Sequence, residues 1–214
     1  MPVPLRAPSL AAIRRTIAAP RRAVDPRERI VANVEGGKLS PALRAVLDRP
    51  SRAASVLLTL LERPGGLTVL FTERAAHLKD HAGQISFPGG RIDERETAVY
   101  AALREAHEEN GLDPAEVDVL GALDDLLTGT GFLITPVVGY VASGKFVAAP
   151  DPTEVASVFE VPLDFICAPA SIVETYRDRL GTRFRTYELR HDGYRIWGAT
   201  AAILVSFRDL VSQV

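Results

Sequence analysis

Glu105, Glu108 and Glu109 are spaced so that a helix would carry all three carboxylates within an arc of roughly 100°. Leu103 falls about 160° from Glu105, so a buried apolar side is expected opposite the acidic one. Like charges three and four residues apart destabilise a helix by a few tenths of a kcal/mol each. Something should offset that repulsion. Hard divalent cations suit oxygen ligands, and Mg²⁺ is typically held by one or two carboxylates together with waters and substrate phosphates. The competing reading is a solvated acidic face with no chemistry, and three glutamates alone do not exclude it.

The wider spacing reverses that balance. Reading from Gly90, five residues lead to Glu96 and seven more to Arg104, followed by Glu105-Ala106-His107-Glu108-Glu109-Asn110-Gly111-Leu112. Seven fixed residues in this order arise by chance with a probability on the order of 10⁻⁶ in a chain of this size. The segment resembles the Nudix box at every fixed position. That resemblance implies a loop-helix-loop holding Mg²⁺ or Mn²⁺ beside a diphosphate. It implies Glu105 and Glu109 as the principal metal ligands, Glu108 as an additional or outer ligand, and Gly90 as the donor of a backbone carbonyl. Glu96 would pair with Arg104 and brace the loop. On one continuous helix those two residues would stand about 12 Å apart along the axis, so Glu96 must lie in a loop.

A second resemblance lies upstream. Thr72, Arg74, Gly83, Phe87, Pro88, Gly89 and Gly90 match the signature that accompanies the box in coenzyme A pyrophosphatases, while Ala75 stands for its Ser and Lys79 for its Arg. Lys79 keeps the cation but lacks the planar fork of arginine. The resemblance implies hydrolysis of the diphosphate of coenzyme A or a derivative, to phosphopantetheine and adenosine 3′,5′-bisphosphate. Arg74 and Lys79 would bind substrate phosphates; Phe87 is grouped with them on the substrate side, although its type suits the core better. Glu154 resembles a glutamate of the same subfamily and is expected as a distal metal ligand or water-activating base, with a capping role as the alternative. Glu105 is the other candidate base. NADH, ADP-ribose or dinucleoside polyphosphates are the alternative substrates, and a non-catalytic binding module of the same fold is the reading from another class.

Elements must position these groups. Val- and Leu-rich runs at 53–61 and 67–72 flank Pro64-Gly65-Gly66 and read as strands joined by a turn. A helix is expected over 97–110, with Val99, Leu103 and Ala106 on its apolar side and Gly111 as its stop. Further strands are expected at 117–123, 133–141, 171–176, 183–190 and 193–197, and a last helix at 199–211. The interleaving predicts an α/β fold, an α/β/α sandwich with a mixed sheet, in residues 53–214. Residues 1–52 read as a basic helical N-terminal extension, with helices from Ser9 to about Ala19 and from Pro41 to Asp48.

Composition narrows the class. The 214 residues carry 25 Lys and Arg against 27 Asp and Glu and are 47% hydrophobic, which excludes disorder and low complexity. One cysteine, Cys167, excludes an internal disulfide and reads as a small core residue. No apolar run approaches the roughly 18 residues of a membrane span. The near-neutral total divides unevenly: residues 1–52 are net +7 and residues 91–118 net −6. The basic segment reads as a solvated surface, as an attractor of an anionic ligand, or, with five Arg and no acid in the first 24 residues, as an organelle-targeting stretch, which Pro2, Pro4, Pro8 and the few hydroxyl residues count against. A cytoplasmic location is expected, with a small nucleotide diphosphate as partner and neither nucleic acid nor membrane. His77 and His81 lack the neighbours of a zinc site, and neither a Walker loop nor a Gly-x-Ser-x-Gly elbow occurs.

Overall fold

A computed structural model describes residues 7–22, 24–78 and 82–212. The N-terminal part contains helices α1 (Leu10–Ala18), α2 (Pro26–Ala32) and α3 (Pro41–Leu47). Ser9 caps α1 by accepting from the Ala12 N–H, and Ser40 caps α3 through Leu43. Sequence reasoning missed α2, although Asp25-Pro26 supplies both its cap and a first-turn proline. Strands β1 (Arg52–Arg63) and β2 (Gly66–Arg74) form the expected hairpin. Short strands β3 (Ile85–Ser86) and β4 (Gly89–Arg91) precede helix α4 (Ala98–Asn110). Then come β5 (Asp118–Ala122), β6 (Leu126–Leu127), β7 (Phe132–Val141), β8 (Val155–Pro162), α5 (Leu163–Cys167), β9 (Ile172–Arg179), β10 (Thr182–His191), β11 (Tyr194–Trp197) and α6 (Gly198–Val211). Neither β8 nor α5 was expected, although Val155, Val158, Phe159 and Val161 are strand-forming types.

The main sheet runs β3-β2-β1-β7-β5, with β4 added to β1, β6 to β7 and β8 to β2. It is mixed: β1 and β7 pair in parallel over ten residues and the other pairs are antiparallel. β9, β10 and β11 form a second, antiparallel sheet. Alternation along β1 sends Leu57 and Leu61 to a core shared with Ala102 and Ala106 of α4, and Leu58 and Leu60 to the larger core that takes in α6. Helices therefore cover both faces, which is the α/β architecture the sequence predicts.

The basic N-terminal segment is packed onto this body. Ile13 and Ile17 are buried in the larger core beside Leu120 and Leu123, and Leu43 and Leu47 join Leu127 in a third cluster. Several of its arginines meet acids or carbonyls: Arg14 pairs with Asp118, Arg29 with Asp124, and Arg21 donates to the Ala122 carbonyl. Those groups serve attachment, and they also account for Asp124, while Asp125 accepts the Thr135 hydroxyl. Replacing Ile13 by Ala should cost about 2–5 kcal/mol in urea unfolding. A change below about 1 kcal/mol would show that α1 is not part of this core.

Candidate active site

The geometry begins with Arg104. Its guanidinium grips the Glu96 carboxylate through two bonds of 2.8 and 3.0 Å, and it also donates to the Arg91 carbonyl at 3.2 Å. Glu96 further accepts from the Asp93 N–H, so the loop ahead of α4 is closed on itself. Hydrogen bonds from Arg104 and Asp93 hold the Glu96 carboxyl below its ordinary pKa. The other terminal nitrogen of Arg104 reaches Glu105 at 2.9 Å and Glu108 at 3.0 Å. One cation thus offsets part of the repulsion that the spacing of the glutamates creates. Thr97 caps α4, and Gly111 ends it with φ 71°, a backbone angle that favours glycine.

The helix presents its faces only in part as the sequence predicts: Ala106 is buried and Leu103 packs against the core, but Val99 does not. Ala101, Ala102, Ala106, Glu109 and Asn110 are buried, whereas Val99 is exposed and Leu103 only partly covered. The buried stripe is centred on the small alanines, so α4 approaches the sheet closely and carries Glu105 and Glu109 inward with it. Glu108 stays exposed on the flank. His107 is exposed, as its position on the helix implies.

Glu109 is 4% exposed. It accepts one bond from the Gly89 N–H at 3.3 Å, and Arg74 stands 4.0 Å away. Burial first, and the Glu105 charge second, push its pKa up to about 8. Burial also raises Glu105, against the pull of Arg104. Gly90 lies under this pair: a Cβ there would collide with the Glu105 carboxylate, so the backbone of β4 meets the acid directly. Glu154 is exposed; its carbonyl accepts from the Ala75 N–H at 2.8 Å, next to Arg74, and its charge adds a small upward push on both Glu105 and Glu109. Among the described residues, no three His, Cys, Asp or Glu side chains form a ready metal cage. The donor set still fits a hard divalent cation: Arg104 bonds Glu105 but does not reach the buried Glu109 carboxylate, whose nearest cation among the described residues is Arg74 at 4.0 Å.

Arg74 stands at the end of β2, where the β2–β8 register shifts between Glu73 and Arg74, and its Nη1 lies 4.0 Å from Glu109. Its Nε is buried without a hydrogen-bond partner among the described residues. Phe87 is corrected: at 2% exposure, stacked on Phe71 at 5.1 Å, it belongs to the core and offers no face to a substrate. Lys79 and His81 lie outside the described residues. Cys167 is buried, and desolvation pushes its thiol up to about 11.

With this geometry in view, the chain matches the NUDIX domain over residues 50–178. It therefore belongs to the Nudix family and is a pyrophosphohydrolase, a class that uses divalent metal ions. Two relatives carry the name uncharacterized Nudix hydrolase NudL. The one from Enterobacter sp. (strain 638) is 37% identical over 172 residues, 80% of this chain and 86% of its own. The one from Photorhabdus laumondii is 39% identical over 178 residues, 83% and 92%. Among solved structures, a Nudix hydrolase from M. smegmatis, RenU, superposes with a TM-score of 0.53 at 24% identity, over 77% of this chain and 88% of that one, and supports the fold. No helix among the described residues is long and apolar enough to cross a membrane.

The raised pKa of Glu109 carries a pH dependence. A folded-state value near 8 against an unfolded value near 4.5 means that the folded, metal-free protein binds the extra proton. Its contribution to stability is full below about pH 4.5 and is lost as pH rises through about 8. Chemical unfolding in chelator should show stability falling over that window, by a few kcal/mol at most, and Glu109→Gln should flatten the fall. An identical slope in wild type and variant would show that Glu109 ionises freely.

Proposed function

We propose that the protein hydrolyses the diphosphate of coenzyme A or a derivative, releasing phosphopantetheine and adenosine 3′,5′-bisphosphate. The observation that carries this reading is Arg74, a cation 4.0 Å from Glu109 with a buried guanidinium nitrogen unpaired, set in the signature that resembles coenzyme A pyrophosphatases. Its neighbour Ala75, in place of that signature's serine, is buried and offers no hydroxyl.

Glu105 and Glu109 would hold Mg²⁺ or Mn²⁺, with the Gly90 carbonyl and Glu108 as further oxygen donors and Glu154 as a distal one. When bound, the ion supplies Lewis acidity and lowers the pKa of a water. Arg74 and Lys79 hold the anionic oxygens of the diphosphate. A carboxylate, Glu154 or Glu105, takes the proton of the attacking water as its oxygen bonds to phosphorus and the bridging P–O bond breaks. Glu96 and Arg104 act by keeping the loop and Glu105 in place. Residues 53–214 form the hydrolase domain and residues 1–52 its N-terminal extension. The setting is cytoplasmic, with a free nucleotide diphosphate as the ligand.

A panel of coenzyme A, acetyl-coenzyme A, NADH, ADP-ribose and diadenosine polyphosphates, each with Mg²⁺ or Mn²⁺, tests the reading. Coenzyme A or its thioester should give the highest kcat/KM, and Glu109→Gln should lower it by about 100-fold or more. Preference for NADH or ADP-ribose would sink the coenzyme A assignment, and no turnover of any diphosphate would sink the enzymatic one.

A further inference from the structure

The segment between β7 and β8 is bonded to the C-terminal end of α4 and then, at Glu154, to Ala75 just past the end of β2. Ala149 N–H donates to the Asn110 carbonyl at 2.9 Å, and Asp151 N–H donates to the Glu109 carbonyl at 3.0 Å. The Asp151 carbonyl then accepts from both Glu154 N–H at 3.1 Å and Val155 N–H at 2.8 Å. Its carboxylate accepts from the Thr153 N–H at 2.8 Å and the Thr153 hydroxyl at 2.7 Å. The Glu154 carbonyl is tied in turn to Ala75 N–H at 2.8 Å, next to Arg74. Pro152, Thr153 and Glu154 are all exposed, so no buried side chain anchors the turn from within. Its shape depends on these local bonds, the role for which a short acidic side chain suits a turn.

We propose that Asp151 is a positioning residue that sets Glu154 against Glu105 and Glu109. One residue is bonded through its amide to the helix residue Glu109 and through its carbonyl and carboxylate to the turn that bears Glu154. The Glu154 backbone is therefore held in register with the helix by the loop's own hydrogen bonds. This rests on the reading that the glutamates hold a divalent cation. Asp151 acts through Glu154 and does not itself meet the substrate.

The test measures Mn²⁺ binding to the full chain by the electron paramagnetic resonance of free Mn²⁺, alongside kcat and KM for coenzyme A. Asp151→Ala and Glu154→Gln should each weaken Mn²⁺ binding by about 10-fold, and the double variant no further, because both remove the same contribution. The loss should fall on kcat with KM nearly unchanged. Asp151→Asn, whose side-chain oxygen can accept the same two bonds, should restore affinity to within about twofold of wild type. Should Asp151→Ala not fold by thermal melting, Thr153→Ala takes its place and must weaken Mn²⁺ binding in the same direction. Wild-type affinity in the folded alanine variant, or losses that add in the double variant, would overturn the inference alone. Failure of the wild-type protein to bind Mn²⁺ would overturn the cation reading with it.

Discussion

The site depends first on the Arg104 guanidinium. This one group bonds Glu96, the Arg91 carbonyl, Glu105 and Glu108, so it joins the entry loop to the helix and supplies positive charge between glutamates that would otherwise repel. With the loop closed on Glu96, β4 lies antiparallel to β1 and puts Gly89 and Gly90 against the Glu109 and Glu105 carboxylates. A lysine could not reproduce the arrangement, because it lacks the planar fork that grips Glu96 while a further nitrogen serves Glu105 and Glu108.

Arg104 leaves part of the problem unsolved. It reaches Glu105 and Glu108 but not Glu109, which lies in the alanine-lined stripe of α4 with, among the described residues, the Gly89 amide bond and Arg74 at 4.0 Å. Burial and neighbouring negative charge both favour its protonated form. The protein holds this unfavourable arrangement because helix, strand and loop each fix a different part of it: α4 through its packing on Leu57 and Leu61, β2 through the bulge at Arg74, and the Asp151 turn through its hydrogen bonds.

Much of this was legible in the sequence, for identifiable reasons. The spacing from Gly90 to Gly111 encodes a local loop and helix, and local structure leaves local signals: the Glu96–Arg104 pair and the Gly111 stop stand where the spacing implies. The hairpin of β1 and β2 was marked by Pro64-Gly65-Gly66 in the same way. Depth was less legible. Helical periodicity placed an apolar side opposite the glutamates, but alanines allow close approach, so the stripe that faces the sheet includes Glu109, while Val99 is exposed. Nor could spacing show that the N-terminal arginines meet Asp118 and Asp124, residues about a hundred positions away. The β2–β8 register that sets Val155 opposite Arg74 and bonds the Glu154 carbonyl to Ala75 is likewise a long-range pairing.

The central claim is that the helix glutamates form a cation site whose buried member is Glu109. Isothermal titration of the substrate-free protein with Mg²⁺ tests it most directly when wild type is compared with Glu109→Gln and with Glu108→Gln. The account predicts that loss of the buried carboxylate weakens binding by about 10-fold or more, while loss of the exposed Glu108 has a much smaller effect. Equal affinity in wild type and Glu109→Gln, or a larger loss in Glu108→Gln, would contradict it.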